Sequence, residues 1–323
     1  MRVLIVKLSS LGDVVHAMPV VADIRRVDAS ATIDWVVEAA FAPLLRRVDG
    51  VDGVIEIALR RWRKAWWTAP VRAEWRGFRK RLRRDVYDVV IDLQGLTKSA
   101  LVARLARGVH FGLANRTEGA GHEWPARWLA DRPIRVEPHI HAVDRSRVLV
   151  GSAIGLPPCG PPRYGLRACI PIEAASPKHG VVFVHGTTRA DKQWPESHWI
   201  ELGRRLIARG QRIELPQAGA IERRRVEAIA AALGDRCTAW PEMALDALVD
   251  RMAAADGVIG VDSGLSHIAV ALDLPHVQIY NLPTAWRTGP QSGDGHRHQV
   301  AIEARPSPRV DAVEAARQAV RPP

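Results

Sequence analysis

The chain has 323 residues, with 46 Lys and Arg against 35 Asp and Glu, a formal net charge of +11, and 47% hydrophobic and 25% charged residues. That balance excludes a disordered, collagen-like or fibrous chain, and the length favours two domains of about 150 residues each. Three cysteines with no C-x-x-C exclude a disulfide framework and a zinc site, and no apolar run approaches the roughly 18 residues of a transmembrane helix.

In chain order, Val3–Val6 predicts a first strand and is too short for a signal-peptide core, so a reducing cytoplasmic setting is expected. The turn Lys7-Leu8-Ser9-Ser10-Leu11-Gly12-Asp13 follows and opens a helix from about Val14. It matches neither G-x-G-x-x-G nor G-x-x-x-x-G-K-[ST], so neither a dinucleotide site nor a P-loop is supported. Asp13 then reads either as a helix N-cap or as a general base at the end of a strand. A strand at Thr32–Val37, a helix near Phe41–Arg47 and a strand at Val54–Ile57 continue the alternation.

Residues 60–84 interrupt it with eleven basic side chains against one acid, Glu74, so this window alone carries most of the net charge. Trp62, Trp66, Trp67, Trp75 and Phe78 are interleaved with those cations. On the residues alone the segment is an amphipathic basic patch, in part (Arg79–Arg84) a solvated helix, or a nucleic-acid grip that stacks bases on its aromatics. Against the last, the chain shows no recognisable nucleic-acid module.

A strand at Val89–Leu93 and a helix near Lys98–Leu105 follow. The proline- and glycine-rich stretch Gly155–Gly165 suits a connector, which divides the chain into domains 1–160 and 161–323. The second half repeats the pattern. Strands are expected at Val181–Val184, Arg212–Leu215, Val258–Val261 and His276–Tyr280, and helices near Ser197–Ala208, Ile221–Leu233, Leu245–Ala255 and Ser263–Leu272. The fold class is therefore α/β, two Rossmann-like α/β/α domains facing across a cleft at the carboxyl ends of their strands. A last helix, Val310–Val320, packs on one half or the other.

Two further turns carry chemistry. His185-Gly186-Thr187-Thr188 through Lys192-Gln193-Trp194-Pro195 combines hydroxyls, a glycine and a cation, groups that hold a phosphate, or else it is a solvated loop. Asp262-Ser263-Gly264-Leu265-Ser266-His267 places a carboxylate before a helix whose free amides favour an anion, with simple capping as the alternative.

These three turns, with the opening Met1 to His16, closely resemble the lipopolysaccharide heptosyltransferases over nearly the whole chain. Arg60-Arg61-Trp62-Arg63-Lys64 resembles the branch that adds the first heptose to the Kdo sugars of Kdo2-lipid A; the rival branch adds the second heptose. The resemblance implies the two-domain GT-B glycosyltransferase fold, an ADP-heptose donor and an inverting reaction that needs neither metal nor cofactor. It also implies a chain that works as a peripheral protein on the cytoplasmic face of the inner membrane, with no nucleic-acid partner. It assigns Asp13 as the catalytic base. Lys192 is expected to be catalytic too, a cation at the leaving group in place of a metal, and with Thr187 and Thr188 it contacts the donor diphosphate, Glu222 the ribose and Met243 the adenine. Asp262 contacts the heptose, and Ser263, Gly264, Leu265, Ser266 and His267 form the diphosphate turn. The acceptor falls to Lys7, Ser10, Arg60, Arg61, Arg63, Lys64 and Arg116, and the resemblance makes residues 60–84 a dock for this anionic membrane glycolipid, with the tryptophans and Phe78 expected at the interface beside the lipid. The chain contains no Asp-x-Asp of the metal-dependent glycosyltransferases.

Overall fold

The computed structural model describes residues 1–169, 180–291 and 298–320. They form two compact units, Met1–Arg167 and Ala168–Pro323.

The first unit is built on β1 (Arg2–Val6), β2 (Thr32–Glu38), β3 (Gly53–Ile57), β4 (Val86–Asp92), β5 (Arg107–Leu113) and β6 (Arg132–Ile134). Every pairing is parallel, in the order β3-β2-β1-β4-β5-β6. Val3, Leu4, Ile5 and Val6 are fully buried, as a strand covered on both faces requires. The second unit repeats the plan with β7 (Val181–Val184), β8 (Ile213–Leu215), β9 (Cys237–Ala239), β10 (Gly257–Val261), β11 (His276–Tyr280) and β12 (Gln299–Glu303), ordered β12-β11-β10-β7-β8-β9. Read from its own first strand, each sheet has the order 3-2-1-4-5-6. The chain reverses direction across the sheet between β1 and β4 in one unit and between β7 and β10 in the other. At such switch points adjacent crossovers leave in opposite directions and a crevice opens at the strand ends. All three turns singled out in the sequence sit at these two points.

Several elements lacked a clear signal. β6, with Pro133, and β9 are three-residue edge strands, β5 opens on Arg107-Gly108, and β12 is half-buried. The helix Ala142–Ile154 buries Arg145, Ser146 and Arg147 among its apolar residues, which breaks the apolar period. Arg147 grips Asp23 of the helix Pro19–Val27 through two hydrogen bonds of 2.7 and 2.9 Å. The first unit runs through Arg167 because Asp49 N–H donates to the Gly165 carbonyl and Arg167 N–H to that of Arg47. The last helix, Val310–Ala319, packs within the second unit on the helix Glu196–Ala208 and beside β11 and β12, where Val310, Val313 and Val320 enter the core.

The basic segment folds as two helices, Leu59–Ala65 and Ala69–Leu82. Here the expectation for its aromatics is corrected. Trp62 and Phe78 are buried and Trp75 packs against them, with ring centroids 5.6 to 5.7 Å apart. Val71, Trp75, Phe78 and Leu82 recur at helical spacing, so they share the face turned to the core. Only Trp66 and Trp67 of that set stand exposed.

Candidate active site

In the first unit, Lys7 is the first residue beyond β1. Its side chain is buried, and Nζ donates to the Leu93 carbonyl at 3.1 Å and lies 3.7 Å from Asp13 Oδ1. Asp13 is not the N-cap of the helix Leu11–Ala17. Ser10 holds that place, and its backbone N–H and hydroxyl donate to Asp13 Oδ2 at 3.1 and 2.7 Å. Partial burial pushes the Asp13 carboxyl up, but the Lys7 ammonium and the Ser10 hydrogen bonds outweigh it and hold the group down at about 2. The carboxylate is 40% exposed, so it is charged at neutral pH and open to a substrate.

A second layer of this half-site carries no motif. Asp92 ends β4 beside Val6 of β1. It accepts from the Gln94 N–H and the Ser99 hydroxyl, both at 2.9 Å, while Gln94 Oε1 accepts from the Leu8 N–H at 2.9 Å. The run Asp92-Leu93-Gln94 thus clamps the turn that carries Lys7. Its only signal in the sequence is two polar residues flanking Leu93 where an apolar strand ends.

Burial raises the Asp92 carboxyl to about 6, against those hydrogen bonds and the Lys7 charge. Between its ordinary value of 3.8 and about 6 the folded chain therefore binds more protons here than the unfolded chain, so this group's contribution to stability falls as pH rises through that window. Asp92→Asn is expected to remove a decline of up to about 3 kcal/mol. Thermal melts from pH 4 to 7 measure it, and an unchanged slope would place the titration on another group.

The acceptor residues expected from the sequence follow strand ends of the same sheet. Arg60, Arg61, Arg63 and Lys64 are exposed on the helix just after β3, and Arg116 is exposed after β5. Arg61 is engaged: its guanidinium pairs with Glu74, which also accepts from the Trp62 indole at 2.7 Å.

In the second unit, Lys192 and Asp262 come from the two turns at the switch point. Lys192 Nζ donates to Asp262 Oδ2 at 2.5 Å, and His267 Nε2 lies 3.3 Å from Asp262 Oδ1. Burial works to raise the Asp262 carboxyl, yet His267 and Lys192 hold it well below the usual range. Thr187 hydroxyl donates to the Asp262 carbonyl at 3.4 Å, while Thr188 is exposed. Ser263 is the N-cap of the helix Gly264–Ala271, and Ser266 Oγ donates to the Val261 carbonyl at 2.6 Å. A Cβ at Gly260 would lie 2.3 Å from that Ser266 oxygen, so glycine lets the helix start sit directly on β10. Ser263, Gly264 and Leu265 remain partly exposed at the positive end of the helix.

The loop bearing Lys192 is pinned by residues without a motif. Asn281 Nδ2 donates to the Asp191 and Gln193 carbonyls at 3.2 and 2.7 Å, and Arg225 donates to Gln193 Oε1 at 2.6 Å. Glu222 stands in the first turn of the helix Gly219–Leu233 and accepts from the Ala218 N–H at 2.8 Å; burial raises its carboxyl. It approaches the second turn so closely that a Cβ on Gly186 would fall 2.3 Å from Glu222 Oε1. Met243 is half-buried on the connector before the helix Leu245–Ala253. Among the described residues no group of three His, Cys, Asp or Glu side chains is placed to hold a metal ion.

This arrangement offers a cation and free helix amides for a diphosphate, a carboxylate for sugar hydroxyls, and in the other unit an ionised base. The family model of glycosyltransferase family 9 (heptosyltransferase) matches residues 75–316. The chain belongs to that family. Lipopolysaccharide heptosyltransferase 1 of Escherichia coli strain K12 is 40% identical to this family 9 heptosyltransferase over 288 residues, 87% of this chain and 88% of the relative. Lipopolysaccharide heptosyltransferase 2 of the same strain is 28% identical over 316 residues, 91% of this chain and 84% of the relative. The solved E. coli heptosyltransferase WaaC with ADP is 37% identical, covers 98% of both chains and superposes with a TM-score of 0.87; with ADP-2-deoxy-2-fluoro heptose the score is 0.82. The family 9 enzyme therefore has the GT-B fold expected from its sequence, two Rossmann-like domains, and is a glycosyltransferase. The family match begins at Trp75, past Asp13, and the structural likeness extends over nearly the whole chain.

Proposed function

We propose that this enzyme transfers L-glycero-D-manno-heptose from ADP-heptose to a Kdo hydroxyl of Kdo2-lipid A, with inversion and without a metal, at the anionic cytoplasmic face of the inner membrane. The observation that carries this reading is the Lys192–Asp262–His267 constellation beside the helix start at Ser263. Donor transfer builds positive charge on the sugar and negative charge on departing ADP. Lys192 and the amides at Ser263 to Leu265 meet that negative charge, as preorganised donors at a leaving group should. Asp262 accepts from heptose hydroxyls, Glu222 from the ribose, and Met243 lies against the adenine. Thr187 and Thr188 add hydroxyl donors to the diphosphate.

The acceptor hydroxyl attacks the anomeric carbon from the face opposite ADP. Its new C–O bond forms as the C–O bond to the phosphate breaks, and its proton passes to Asp13. Lys7 and Ser10 orient that carboxylate, and Arg60, Arg61, Arg63, Lys64 and Arg116 bind the anionic Kdo and lipid A groups through charge-assisted hydrogen bonds. Transfer to an already heptosylated core is the competing reading. The greater identity to heptosyltransferase 1 than to heptosyltransferase 2 favours the first heptose.

The deciding assay follows ADP release from ADP-heptose with Kdo2-lipid A in the presence of EDTA. Release is expected; release only with a heptosylated acceptor, or only with added divalent metal, would overturn the corresponding part of the proposal. Changing Arg60, Arg63 and Lys64 together to Gln is expected to raise the acceptor KM by about 10²-fold, roughly 1 kcal/mol for each charge-assisted hydrogen bond removed, with the donor KM within about twofold. Arg61→Gln alone should matter less, because Glu74 already occupies its guanidinium. Equal effects on both KM values would remove these residues from the acceptor side.

A further inference from the structure

The helix Ala69–Leu82 has a second face that the transfer reaction does not use. Arg72, Arg76, Arg79, Lys80 and Arg83, just past its end, follow one another at i, i+4, i+7, i+8 and i+11. At about 100° per residue they fall within an arc of roughly 100°. The core-facing arc of Val71, Trp75, Phe78 and Leu82 is centred elsewhere on the same helix. All five cations are exposed, and no ion pair with a carboxylate is found for any of them among the described residues. Glu74, the one acid of the segment, faces Arg61 instead. Arg76 Nε reaches only the Arg72 carbonyl, at 3.3 Å. Arg76, Arg79, Lys80, Arg83 and Arg84 line a shallow open basin on this surface.

Like charges at i and i+4 destabilise a helix, and a merely solvated helix face gains from alternating signs, so this row is unfavourable unless a polyanion lies against it. At the entry to the helix, Trp66 and Trp67 stand 67% and 60% exposed. Indoles of this kind favour the headgroup level of a bilayer, and clustered cations favour an anionic leaflet.

We propose that the row Arg72, Arg76, Arg79, Lys80 and Arg83, with Trp66 and Trp67, docks the first unit on an anionic lipid bilayer, independently of the acceptor contacts at Arg60, Arg63 and Lys64. The occupant is the bilayer itself, chosen by charge complementarity together with the paired interfacial tryptophans. The inference rests on the reading that the acceptor is a membrane lipid, and it adds which surface holds the enzyme there.

The test uses the full-length chain and vesicles of phosphatidylglycerol and phosphatidylcholine without any acceptor. Cosedimentation is expected with anionic vesicles and not with pure phosphatidylcholine, and it should weaken with salt. Changing all five cations to Gln is expected to lower partitioning by about 10³-fold, roughly fivefold for each residue. A second variant, Trp66→Ser with Trp67→Ser, should lower it by about tenfold or more with the charges intact. Both variants should keep their thermal melts and their turnover on a water-soluble deacylated acceptor, which separates docking from folding and chemistry. Wild-type partitioning in the five-Gln variant, or equal binding to neutral vesicles, would overturn the proposal. Retention on single-stranded RNA that anionic vesicles fail to displace would overturn it in favour of a nucleic-acid partner. Loss of turnover on the soluble acceptor in the wild-type enzyme would count against the transfer reading alone, since vesicle binding is scored without acceptor.

Discussion

Asp13→Asn is expected to reduce turnover by about 10³-fold while ADP-heptose affinity stays within about twofold, in line with the 10² to 10⁴ that a positioned general base contributes. Asparagine keeps the size of the side chain and still accepts from Ser10, so the helix start survives. What it lacks is the charge that takes a proton. Lys7 and Ser10 hold the Asp13 carboxyl at about 2, which makes it a weak base toward an unperturbed sugar hydroxyl. Proton transfer must then follow the developing bond to the anomeric carbon, when the attacking oxygen has become acidic. The same low value fixes the sign of the pH dependence. Asp13 is ionised across the working range, so an acid limb above about pH 4 belongs to another group, and the residual rate of Asp13→Asn should show the same limb as the wild type. Steady-state rates from pH 5 to 9, with calorimetric titration of the donor, check both parts. Near-wild-type turnover would remove Asp13 as the base, whereas a lost limb would show that Asp13 itself titrates there and would overturn its low value.

How much of this was legible in the sequence depends on which physical rule made each element. β1, β7 and β10 are covered on both faces and read as unbroken apolar runs, and β2, β4 and β11 are apolar runs interrupted by Asp34, Asp88 and Gln278; all six were found to within a few residues. β6 and β9 are short edge strands, and the helix Ala142–Ile154 hides its apolar face among buried arginines, so no periodic signal marked them. The three chemical turns stood out because each follows a buried strand directly, and the sheet order then puts all three at switch points. Their supports did not stand out. Gln94, Asn281 and Arg225 act through hydrogen bonds to residues far along the chain, which local pattern cannot register, and Asp92 holds Gln94 and Ser99 close by without forming any motif. The basic segment shows the opposite error: its composition grouped all the aromatics, whereas the helical period turns Trp75 and Phe78 inward with Trp62 and leaves Trp66 and Trp67 outside.

Lys192→Ala tests the other half of the chemistry, and its expected loss in kcat/KM is about 10²- to 10³-fold, as for removal of one preorganised donor to a developing anion. Both kcat and donor affinity should fall, since the ammonium meets ADP in the bound state and more strongly as the leaving group gains charge. Lys192→Arg should recover little, because a planar fork cannot replace a compact ammonium that also lies 2.5 Å from Asp262 Oδ2. The substitution has a structural cost that must be separated from the catalytic one. Asp262 is 5% exposed, and without Lys192 its carboxylate loses a partner at 2.5 Å and keeps His267 Nε2 at 3.3 Å. Its depressed pKa means that its pairing stabilises the fold above about pH 4 and that this stabilisation fades as pH falls through the native value. Lys192→Ala should therefore lower stability by about 1–2 kcal/mol at pH 7 and by less as pH falls below about 4, read from thermal melts, the solvent access of Lys192 keeping the figure below that of a fully buried pair. Adding Asp262→Asn removes the unbalanced carboxylate. The double variant should regain stability without regaining turnover, and a double variant that regains both would show Lys192 to be a structural counter-ion of Asp262 with no part in leaving-group departure.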